Sequence, residues 1–95
     1  MIKVSRLYIF PAEKVVGQPT RPGYIATGST WINEKDIDYV SEIILSEKER
    51  QEDWFAKLEE HTKETGTNLF SVLLKSGYTV GNILLTKEEL LKLTS

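Results

Sequence analysis

Asn33-Glu34-Lys35-Asp36-Ile37-Asp38-Tyr39-Val40-Ser41-Glu42-Ile43-Ile44-Leu45 is the stretch on which the reading of this chain turns, because the hydrophobic period changes at its first residue. Asn33 is a competent N-cap, with Asp36 at the third helical position. Ile32 and Ile37 have the spacing of a hydrophobic staple around that cap. Ile37, Val40 and Ile44, with Ile43 beside them, mark an apolar stripe of helical period. The spacing predicts a helix over 34–45. Continuing the same phase reaches Glu47, Gln51, Trp54, Leu58 and His61, so the stripe persists but is polar for two steps. One helix from 34 to 65 would be about 48 Å long at 1.5 Å per residue, far too long for a domain with an expected radius of gyration of about 12 Å. Ser46 with Glu49 forms a second capping box, which places a break there and a second helix over 47–65, stopped by Gly66.

Upstream of Asn33 the pattern is that of strands. Residues 2–10 alternate, with Ile2, Val4, Arg6, Tyr8 and Phe10 on one parity and Lys3, Ser5, Leu7 and Ile9 on the other. A strand is expected there, ended by Pro11. A short strand over 13–16 is compatible with the composition. Residues 17–23, Gly-Gln-Pro-Thr-Arg-Pro-Gly, read as a loop. Strand character resumes over 24–32, with Gly28 a bulge or turn point, and antiparallel pairing with the first strand is the economical topology. Downstream, residues 69–77 fit a buried helix or a central strand equally well by periodicity. Ser76-Gly77 and the β-rich residues that follow favour a hairpin of strands over 69–75 and 78–85. Thr86 and Glu89 form a third capping box, and Leu85 with Leu90 a second staple, so a helix over 87–94 closes the chain. The expected fold class is α+β: a single domain over 1–95 with a mainly antiparallel sheet covered on one face by helices.

Composition narrows the function without naming it. The chain has 95 residues, 40% apolar and 27% charged, with a formal net charge of −2, which suits one folded domain and excludes a multidomain enzyme. Cysteine is absent, which removes disulfides, thiolate metal sites and a thiol nucleophile. No apolar run reaches the length of a membrane span, and the first residues lack a basic region followed by a hydrophobic one, so a cytoplasmic location without membrane association is expected. Charge is uneven along the chain. Residues 1–32 carry Lys3, Arg6, Lys14 and Arg21 against Glu13, whereas residues 33–65 hold eleven acids against Lys35, Lys48, Arg50, Lys57 and Lys63.

Few constellations suggest chemistry. His61 is the only histidine, so no imidazole pair exists for metal or proton relay, and no nucleophile is nominated beside it. Carboxylates in 47–53 lack the glycine turn and alternating ligands of a cation loop. Gly77 and Gly81 are four apart without a following lysine, which makes a weak phosphate cradle. The sparse basic residues fall short of a nucleic-acid footprint, although Tyr8, Tyr24 and Trp31 lie near them in sequence. No metal, cofactor or catalytic residue is therefore expected, and the enzyme reading ranks last. The leading expectation is a non-catalytic interaction module, of adaptor or inhibitor type, docking on a basic surface of another protein through an acidic helical face. Glu49, Glu52, Asp53 and the neighbouring Trp54 would carry it. Its plain rivals are a solvated charged face and a tryptophan that fills the core. The alternative function is a small-molecule or nucleotide binding or sequestering protein with Arg21, Tyr24, Trp31 and Asn82 around a pocket. A homodimer through the 34–65 helix is compatible with its phase.

Overall fold

A computed structural model describes residues 1–94 of the chain. The elements are β1 (Ile2–Phe10), β2 (Tyr24–Ile32), a 3₁₀ turn (Glu34–Asp36), β3 (Ile37–Glu42), α1 (Glu47–Arg50), α2 (Asp53–Thr65), β4 (Asn68–Leu74), β5 (Thr79–Leu85) and α3 (Lys87–Thr94). The five strands form one antiparallel sheet in the order β2-β1-β5-β4-β3. The fold is thus α+β with an antiparallel sheet.

The expected helix over 34–45 is corrected to a turn and a strand. Asn33 does cap: its Oδ1 accepts from the Lys35 amide at 3.1 Å, and its carbonyl accepts from the Asp36 amide at 2.9 Å. The turn then stops, because Ile37 is already extended at φ −75°, ψ 123°. From Ile37 the backbone pairs with the open edge of β4, with a one-residue irregularity between Ile37 and Tyr39. That irregularity explains the misleading stripe. A bulge between Ile37 and Val40 returns both to one face, as a three-residue step does in a helix, and both pack against the core.

The helix expected over 47–65 is two helices. Ser46 Oγ accepts from the Glu49 amide and Glu49 Oε1 from the Ser46 amide, each at 3.1 Å, but α1 lasts one turn before Gln51 and Glu52 separate it from α2. Gly66 ends α2 in the left-handed conformation, at φ 65°. The β4–β5 hairpin forms as expected, closed by Leu74 and Gly77 amides donating to the Tyr78 and Leu74 carbonyls, each at 2.8 Å. The Thr86–Glu89 capping box is present at 3.2 and 3.0 Å, and both staple partners, Leu85 and Leu90, join one apolar cluster.

The core lies on both faces of the sheet. Val4, Ile32, Phe70, Val72, Ile83 and Leu85 pack with Leu93 of α3. Leu7, Leu69 and Leu84 alternate to the other face and pack with Trp54 and Leu58 of α2. The helices are therefore divided between the faces rather than gathered on one. Each of these buried side chains contributes roughly 1.5–3 kcal/mol. Gly28 is not a bulge: it pairs with Arg6 in an unbroken register from Ile2–Ile32 to Phe10–Tyr24. The extra residue falls instead near Asn82, which adopts φ 58° where the β4–β5 register shifts. Beyond Arg6, β1 loses its pairing with β5 and continues only with β2. The resulting two-stranded arm, prolonged by a Glu13–Arg21 bridge, accompanies overall dimensions of 50 × 29 × 23 Å and a radius of gyration of 15.0 Å.

Candidate functional site

The carboxylates of the acidic segment at α1 and the start of α2 have different local roles. Glu49 completes the capping box, and Glu52 is half-buried at the N-cap of α2 without a side-chain capping bond. Asp53 Oδ2 accepts from the Gly23 amide at 2.7 Å, which ties the entrance of β2 to the first turn of α2. Gly23 is buried there, and a β-carbon on it would collide with the Asp53 carboxylate, so glycine is needed at that contact. Trp54 is only 4% exposed, inside the α2-side core. Of its two expected roles the partner anchor is corrected and the core filler is the one found: the ring fills volume between α2 and the sheet, out of reach of a docking protein. Phe55, about 100° further round the helix, is the aromatic left near the surface.

Phe55 lines a groove of about 550 Å³ between α2 and the segment joining β3 to α1. One wall is Glu42, Ile43, Ile44 and Leu45. The other is Phe55, Leu58, Glu59 and Thr62 of α2, and Arg50 of α1 also borders it. Local sequence dictates this construction. Ile43 continues the ladder by donating its amide to the Leu69 carbonyl at 2.9 Å, while the Ser46 cap forces the chain away into α1. Three consecutive apolar residues in that extended link cannot all face inward, and Ile44 is left 77% exposed. The groove thus combines apolar side chains, Ile43, Ile44, Leu45, Phe55 and Leu58, with polar ones, and its charged members are the exposed Glu42, Glu59 and Arg50. The sequence puts Ile44 on the buried stripe of a helix, which its exposure corrects, and gives Phe55 no site role; the apolar run Ile43-Ile44-Leu45 directly before a capping serine is the available signal.

The four residues expected around a ligand pocket are not brought together. Tyr24 and Trp31 are seven residues apart on β2, so they lie on opposite faces and about 23 Å apart along the strand. Arg21 sits in the loop bridged to Glu13, and Asn82 lies at the β5 irregularity on the far side of β1. Tyr24 has a different neighbour: its ring stacks on Phe10 with centroids 4.6 Å apart and planes at 13°. The Arg6 guanidinium lies 5.5 Å from the centre of the Tyr8 ring, making an aromatic strip along the arm. Tyr8 rests against Gly28, where a β-carbon would come within 3.2 Å of its Cε2.

Among the described residues no cluster of three or more His, Asp or Glu side chains could hold a metal ion, and no helix is long and apolar enough to cross a membrane. His61 is half-buried near the end of α2, and its carbonyl accepts from Thr65 Oγ1 at 2.8 Å. No protein-family model matches the chain, and no curated protein or solved structure shows significant similarity to it.

Proposed function

We propose that this chain is a non-catalytic interaction module, of adaptor or inhibitor type, which docks on a basic surface of another protein through the groove between α2 and residues 42–45. The observation that carries this reading is the groove itself: exposed Ile44 and half-buried Phe55 offer an apolar seat between the carboxylates of Glu42 and Glu59. An apolar side chain flanked by lysine or arginine is the complementary partner. Burial of the apolar group supplies affinity, and the carboxylates steer the encounter and select orientation. Glu49 and Glu52 extend the negative charge along the neighbouring turn, and Asp53 maintains the frame through Gly23.

The reading is tested by nuclear magnetic resonance titration of the full chain with an amphipathic peptide bearing leucine between lysines. Shift changes should concentrate on residues 42–45 and 55–62, and binding should weaken as ionic strength rises beyond about 0.15 M. Glu42→Lys with Glu59→Lys should reduce affinity by about tenfold, equivalent to about 1.4 kcal/mol. Shifts scattered over the sheet, or no loss on charge reversal, overturn the reading. The pocket alternative has no converging residues to support it.

A further inference from the structure

We infer that the chain self-associates through β2, pairing with β2 of a second copy about a twofold axis at Gly28 to give one continuous ten-stranded sheet. The two edges of the sheet differ in kind. The β3 edge is six residues long, carries Asp38 and Glu42, and is interrupted by an irregularity, all devices that discourage strand addition. The β2 edge is nine residues long, Tyr-Ile-Ala-Thr-Gly-Ser-Thr-Trp-Ile, with no charge, no proline and no break in its register with β1. Its outer backbone groups form a template for another strand.

The second copy is the occupant because β2 is complementary to itself. Full overlap of two antiparallel copies centres on Gly28 and sets Tyr24 opposite the partner's Ile32 and Ile25 opposite the partner's Trp31. Aromatic and β-branched residues are therefore matched on both faces, which is the favoured cross-strand combination. Trp31 and Tyr24, 60% and 51% exposed, would gain cover. Charge at the strand's ends does not oppose this arrangement. The loop entering β2 holds Lys14 and Arg21 with Glu13, and in the turn leaving it Asp36 is offset by Lys35 while Glu34 is paired with the Met1 amino group at 3.3 Å, so the twofold axis brings no like-charged clusters together.

Sedimentation velocity of the full chain across the micromolar range tests the inference. A monomer–dimer equilibrium is expected, with the amides of residues 24–32 gaining hydrogen-exchange protection as concentration rises. Thr27 and Ser29 are exposed and face each other across the axis, so Thr27→Lys with Ser29→Lys should weaken the dimer about tenfold or more without changing the monomer's circular dichroism. Thr27→Lys with Ser29→Glu should restore it. A chain that stays monomeric, a dimer indifferent to the lysine pair, or a dimer not restored by the lysine–glutamate pair each overturns the inference.

Discussion

Gly23 shows how much a single position can hold in place. It is buried, its amide donates to Asp53, and any side chain would press on that carboxylate and on the Phe10 and Ala12 backbone. Gly23→Ala should lower stability by about 1–3 kcal/mol in urea denaturation, since the backbone atoms around it have little freedom to retreat. The two tryptophans make a second contrast. Trp54→Ala should cost about 3–5 kcal/mol because the ring fills the space between α2 and the sheet. Trp31, 60% exposed, should cost the isolated monomer no more than about 0.5 kcal/mol on the same replacement, measured at a concentration too low for association. The sequence marks both residues as large and aromatic; the helical phase shared by Trp54 and Leu58 points Trp54 to the core, whereas the residues around Trp31 do not say whether the sheet will cover it.

Among the elements, the short helices depend most on their caps. α3 is eight residues long and anchors Leu90 and Leu93 on one face of the sheet, so its first turn controls a share of the core. Thr86→Ala should destabilise the protein by about 1 kcal/mol, read as a lowered thermal midpoint, with loss of helical signal small because the helix is short. The capping boxes at Ser46 and Thr86 were legible in advance, as were the Gly66 stop and the alternating strands, because each rests on residues within four positions of one another. Residues 33–45 were not legible in this way. Their cap and staple are genuine local signals, yet they stabilise one turn only, and the open edge of β4 offers Ile37–Glu42 a run of backbone hydrogen bonds that no local feature announces. A bulge and a helical step give the same facing for Ile37 and Val40, so periodicity could not separate the two.

For the whole molecule the decisive feature is that β1 pairs with β5, so the two ends of the chain meet at the centre of the sheet. A chain truncated after Leu74 loses that strand and should show no cooperative thermal transition by circular dichroism, whereas a chain of local hairpins would survive the cut. In the intact protein, amides of residues 11–22 should exchange fastest, because the arm beyond Arg6 has pairing on one side only and its tip exposes Val15 and Val16. The amino-acid sequence by itself determined the class of fold, the strands over 2–10 and 24–32, the capped helix starts at Ser46 and Thr86 and the exclusion of thiol chemistry, all of which follow from composition or from neighbours along the chain. The tertiary structure alone decided that 37–42 is an edge strand, that Ile44 and Phe55 border a groove, and that β2 lies at an uncharged margin. Those outcomes depend on which distant segments compete for the same backbone groups and the same apolar surface, a competition settled only when the sheet closes.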